Sequence, residues 1–152
     1  MFQHLGAAPT TLNVAELYTA LQTHVVDGQE NPLGVIEDQK FYQVQKYCSL
    51  TNHMWVGYWM LVNGAVWKTL PAGHQKIVAD AFDEQALAQR TANESLNSSL
   101  EEELTKKGLT FNTPDQTPFR DTLLKSGFYK EWRSKFGDGL WSALVKYAGS
   151  LT

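Results

Sequence analysis

The sequence predicts an α/β chain, and three observations carry that expectation. Stretches with apolar residues at helical spacing alternate with short β-branched and aromatic runs. No glycine or proline follows Gly73 until Lys107 has been passed, so one helical feature dominates the middle of the chain. With 152 residues, 43% hydrophobic and 12% aromatic, there is enough apolar material for a buried core, and the length alone suggests one domain.

The elements follow in order. Met1, Phe2 and Leu5 fit the last turn of a helix closed by Gly6 in the left-handed C′ position. From Asn13 to Thr23, Val14, Leu17, Tyr18 and Leu21 form one apolar helical face, and Asn13 with Glu16 resembles a capping box. Val25–Glu30 reads as a short strand. The run VVDGQENP then places Gln29, Glu30 and Asn31 together before Pro32, which is either a solvated turn or polar groups delivered to a pocket. Pro32 opens a helix to about Lys40.

FYQVQKYCSL predicts a second strand, and His53–Val62 a third, apolar on both sides and therefore covered on both. Residues 71–107 read as one helix of roughly 55 Å; the alternative is a break at Asn97-Ser98-Ser99, with Ser99 and Glu102 capping a second helix. LTFNT is a short strand, Thr113-Pro114-Asp115 a turn. Two last helices, about Pro118–Phe136 and Leu140–Ala148, are divided by Gly137-Asp138-Gly139.

Several function classes are disfavoured. A net charge of −3 and a pI near 5.8 argue against a nucleic-acid surface. No apolar run reaches the roughly 18 residues of a membrane span, and MFQHLGAAPTTL does not have the form of a signal peptide, which taken literally implies the cytoplasm. His4, His24, His53 and His74 with the single Cys48 give no metal-ligand spacing, and no nucleotide-binding or nucleophile-elbow motif occurs, so no cofactor is expected. Asp27 and Glu30 as paired hydrolytic acids compete with plain solvation. Phe119, Phe128, Trp132 and Phe136, like Trp55, Tyr58 and Trp59, read first as core. The three arginines are Arg90, Arg120 and Arg133, so an anion site near Asn31 would draw its cation from elsewhere.

The order ELYTALQTHVVDGQENP, KFYQVQKYCSLTNH, an apolar strand, WKTLP and a very long helix resembles the DctP-type solute-binding receptors of TRAP (tripartite ATP-independent periplasmic) transporters. The resemblance runs from about residue 1 to the final helix. It implies a periplasmic-binding-protein-like type II fold, here partial: the C-terminal lobe, hinge strands and a long lobe-spanning helix, with residues 1–152 as the C-terminal portion and the N-terminal lobe mostly absent. It implies a periplasmic parent protein that is not an enzyme, captures a small-molecule carboxylate, an organic acid such as a dicarboxylate, and delivers it to integral-membrane permease subunits. In such receptors Asn31 would enter the cleft, where its amide can donate to a ligand oxygen and accept from a hydroxyl. Val14 would line the same cleft, His53 would join a polar network behind it with Glu30 as partner, and Trp55 would lie near it. The family's ligand-clamping arginine falls upstream of residue 1.

Two further departures stand out. His24 takes a place where relatives carry glycine, at a cost of roughly 1 kcal/mol if the left-handed conformation is kept. Val56 stands where nearer relatives carry an acid. The rival readings are a fragment with structural or interaction function alone, and a small hydrolase using Glu30.

Overall fold

The computed structural model describes residues 1–151. Among these, two compact units are distinguished: residues 14–112, and residues 1–13 with 113–151.

In the first unit, α1 (Val14–Gln22) buries Leu17, Ala20 and Leu21, three of its nine residues at helical spacing. Its end explains why no strand follows. His24 N–H donates to the Leu21 carbonyl at 3.2 Å and Val25 N–H to that of Ala20 at 2.9 Å. These are the two bonds of a Schellman closure, with His24 at φ 58 in the position glycine usually fills. The expected strand at Val25–Glu30 is therefore absent: Val25 spends its N–H on closing the helix, and the next residues turn. The left-handed histidine itself is as expected. His24→Gly should raise stability by up to about 1 kcal/mol by removing the Cβ clash with the following carbonyl; an unchanged midpoint in urea denaturation would show that the conformation is unstrained.

Pro32 precedes α2 (Leu33–Asp38), whose Ile36 is buried. Lys40 at φ 56 then turns the chain into a 3-10 turn, Phe41–Gln43. The expected strand over FYQVQKYCSL thus shrinks to β1 (Tyr47–Ser49). The alternation of the sequence runs across a turn that buries Phe41. Cys48 is half-buried in β1, and that burial, with the Glu101 carboxylate nearby, pushes its thiol pKa up.

The strand expected at His53–Val62 does not form. Trp55, Tyr58, Trp59 and Leu61 are 82%, 80%, 79% and 89% exposed. A strand needs a neighbour for its backbone bonds, and the sheet among the described residues consists of β1 and β2.

Asn63 caps α3 (Gly64–Thr69), its Oδ1 accepting from the N–H groups of Ala65 and Val66 at 2.9 and 3.2 Å. The Gln75 amide bonds the Trp67 and Leu70 carbonyls, both at 3.0 Å, and so joins α3 to the next helix. That helix, α4, runs unbroken over 35 residues, Ala72–Lys106, or about 52 Å. Ser98 and Ser99 do not cap a second helix: their hydroxyls donate back to the Ser95 and Leu96 carbonyls at 2.7 and 3.1 Å. Leu100 and Leu104 are its buried side chains. Lys107 pairs with Glu37 of α2 at 2.6 Å, which raises the lysine pKa. Gly108 at φ 103 then releases the chain into β2 (Thr110–Asn112), parallel to β1 with Cys48 opposite Phe111.

In the second unit, Phe2–Leu5 is a 3-10 turn ended by Gly6 at φ 88, as expected. Asp115 accepts from Thr117 N–H at 2.9 Å, which holds its carboxyl below the usual range and starts α5 (Thr117–Lys125). The single helix expected over Pro118–Phe136 is cut by Gly127 at φ 77, after which α6 (Phe128–Ala148) begins. The division expected at 137–139 is a kink at Gly137, spanned by Arg133 bonding Asp138 through Nε and Nη2 at 3.0 and 2.8 Å. Phe128, Trp132 and Phe136 pack serially, at 6.1 and 5.2 Å between ring centres, yet Phe119 and Phe136 stay 43% and 50% exposed, so this stripe is only in part the core expected. The buried residues here are Leu123, Trp141 and Leu151.

Candidate functional site

The polar turn after α1 is built by what surrounds it. The Schellman closure redirects the chain at His24, and Pro32 sets the start of α2. Between them Gln29, Glu30 and Asn31 occupy a stretch without helix or strand. The Asn31 amide nitrogen donates to Gln29 Oε1 at 2.7 Å. That leaves its carbonyl oxygen and one N–H for another partner.

Glu30 is held from a different part of the chain. Its Oε1 lies 3.1 Å from His53 Nε2, and His53 Nδ1 lies 2.6 Å from Thr51 Oγ1. The histidine side chain is 21% exposed and the glutamate 39%, so the pair is partly shielded from water. Thr51 comes two residues after the end of β1, and between them Leu50 N–H still bonds the Asn112 carbonyl at 2.8 Å. The sheet edge thereby fixes one end of the contact and the 29–31 turn supplies the other. Together these residues carry amide, carboxylate and imidazole groups, all capable of hydrogen bonding.

Of the sequence-predicted residues, the structure joins Glu30 with His53 and sets Asn31 next to them in the chain. Val14 opens α1 at 44% exposure. Trp55 is exposed, its indole makes no hydrogen bond among the described residues, and its ring lies over Gly57, where an added Cβ would meet Cζ3 at 2.3 Å. A depression of about 230 Å³ lined by Leu21, His24, Asp27, Lys46 and Tyr47 among others contains none of the five. Thr51 was missed by sequence reasoning; its signal is its place in the TNH run, two residues before His53. No group of His, Cys, Asp and Glu suited to a metal ion occurs among the described residues. No helix among them is long and apolar enough to cross a membrane.

A helix-rich chain with a small open parallel sheet, one very long helix and a polar turn backed by a carboxylate–imidazole pair has the make-up of a partial type II solute-binding fold. Comparison with known proteins makes this specific. The family profile described as bacterial extracellular solute-binding protein, family 7 (DctP), matches residues 1–133, and the chain belongs to that family. Among curated proteins it is 33% identical over 140 residues to the sialic acid-binding periplasmic protein SiaP of Vibrio cholerae, covering 92% of this chain and 43% of the relative. It is 31% identical to the C4-dicarboxylate-binding periplasmic protein DctP of Shewanella loihica, covering 95% and 44%. Among solved structures, a TRAP periplasmic solute-binding protein of Roseobacter denitrificans with bound 3-deoxy-D-manno-oct-2-ulosonic acid superposes with a TM-score of 0.80 at 33% identity, over 93% of this chain and 47% of that one. One of Polaromonas, bound to D-erythronate, gives 0.78 at 31% identity, over 90% and 45%. The chain spans less than half the length of each of these relatives.

Proposed function

We propose that these residues are the C-terminal portion of a TRAP-transporter receptor that captures an organic acid in the periplasm and hands it to the membrane permease subunits. The observation that carries this reading is the Glu30–His53 contact at 3.1 Å, made by the residue next to Asn31 in the chain, on a chain that belongs to a solute-binding family. It is a receptor and not an enzyme, in keeping with its membership of an extracellular solute-binding family.

The relatives' ligands support an acid with further oxygens: a sialic acid, C4-dicarboxylates, D-erythronate and an octulosonic acid. Asn31 fits such a ligand, since with one N–H engaged by Gln29 it still presents one donor and one acceptor. A neutral amide does not balance a carboxylate charge. The cation comes from the other half of the receptor, the role the family resemblance gives to an arginine before residue 1, which would grip the carboxylate bidentately. Val14, at the start of α1, would border the same cleft, and Trp55 would lie at its edge. Closure of the two lobes around the acid is a hinge motion, with α4 as the helix crossing both.

In a receptor completed by the upstream half of a relative, Asn31→Ala should remove one or two hydrogen bonds to the ligand. Each contributes roughly 0.5–1.5 kcal/mol, more with a charged partner, so affinity should fall about tenfold or further. Calorimetry showing the same affinity for both forms would take Asn31 out of the site.

A further inference from the structure

We infer that Thr51 is a positioning residue for this site: it holds His53 with its proton on Nε2 and so anchors the Glu30 end of the polar turn to the sheet. The inference rests on reading residues 29–31 as part of a ligand site.

It follows from donors and acceptors. An ionised carboxylate can only accept, so Nε2 of His53 donates across the 3.1 Å to Glu30. A neutral imidazole carries one N–H, which makes Nδ1 the acceptor. The Thr51 hydroxyl, 2.6 Å from Nδ1, is then the donor of that bond. The backbone between them is shaped for this contact. Asn52 sits at φ 44, a left-handed conformation that asparagine tolerates better than most residues, and it turns the chain between the two side chains that meet. One residue before Thr51, Leu50 is still bonded to β2 through Asn112. The turn at 29–31 has no ladder of its own, so the route from sheet to Thr51, His53 and Glu30 gives it a fixed neighbour. A ring free to exchange tautomers would present Nε2 as an acceptor part of the time. Two acceptors would then face each other, and the glutamate would be released.

Nitrogen-15 NMR of the imidazole in the 152-residue chain, at about pH 9 where histidines are neutral as a class, reads the tautomer directly. The wild type should show the Nε2–H form. Thr51→Val, similar in shape but without the hydroxyl, should shift the tautomer ratio toward Nδ1–H by about three- to tenfold, the worth of one hydrogen bond, with the amide spectrum otherwise retained. Thr51→Ser should restore it. In the completed receptor, T51V should weaken binding of D-erythronate or a C4-dicarboxylate by a similar factor and T51S should recover it. A wild-type ring protonated on Nδ1, or an unaltered ratio in T51V, would overturn the assignment. A completed wild-type receptor that bound no acid would strike the ligand-site reading instead, while the tautomer ratio would still decide the role of Thr51.

Discussion

Titrated with a panel of hydroxy-, keto- and aromatic acids, the 152-residue chain alone is expected to bind none more tightly than about millimolar, or −4 kcal/mol, and to self-associate. In the proposed cleft this chain brings no cation: Asn31 contributes hydrogen bonds but no charge, Glu30 is itself an acid, and a buried carboxylate without a cation is disfavoured by several kcal/mol. The tendency to associate comes from residues 54–62. Three aromatic side chains there, each about 80% exposed and each of about 150–250 Å², already present roughly 350–600 Å². That equals the largest apolar patch on an ordinary monomer, before Met54, Met60, Leu61 and Val62 are counted. Adding the upstream half of a relative as a separate polypeptide should cover the segment and restore acid binding. Light scattering and calorimetry on the same samples test both parts. Micromolar affinity in the chain alone, abolished by Asn31→Ala, would show that the site is complete without an added cation.

Phe41→Ala should destabilise the 14–112 unit by about 3–5 kcal/mol, the cost of removing a fully buried aromatic ring and leaving a cavity. Phe41 and Leu104 have no exposed surface and Leu100 only 1%, so the site offers little freedom to collapse. Against a total stability of order 5–15 kcal/mol, the loss should leave a large unfolded fraction near room temperature. The matched control is Leu87→Ala on α4: that leucine is 68% exposed, and the change should stay within about 0.5 kcal/mol. Urea denaturation of both variants gives the comparison, and similar midpoints for the two would mean that the core lies elsewhere.

Helices were legible wherever their cause is local. The spacing of Leu17 and Leu21, the glycine after Leu5 and the Gly- and Pro-free run after Gly73 each act within a few turns, and each produced the element expected. Strands were not, because a strand is decided by its neighbour. His53–Val62 has the composition of a buried strand and no partner among the described residues. Val25–Glu30 was lost to a helix closure whose hydrogen bonds reach back five residues, from Val25 to Ala20. One glycine within an apolar pattern is tolerated in a helix, so Gly127 carries no sequence signal of the break; at φ 77 it ends one helix and starts another.

The site divides in the same way. Glu30 and His53 were paired by the family resemblance and meet at 3.1 Å. The contribution of Thr51 depends on the left-handed turn at Asn52, which nothing in the residue types announces. Val14 and Trp55 were named for a cleft of two walls, and their part in it stays a proposal tied to the complementing half.

The 35-residue α4 buries side chains only at Leu100 and Leu104, in its last turns. A stiff rod seated near one end is a lever. Over a length of about 52 Å, a tilt of roughly 5° at the seated turns carries the far end through about 4–5 Å. Repacking by a fraction of an ångström around those two leucines therefore becomes a displacement as large as a small ligand at Ala72, with no hinge in the helix itself.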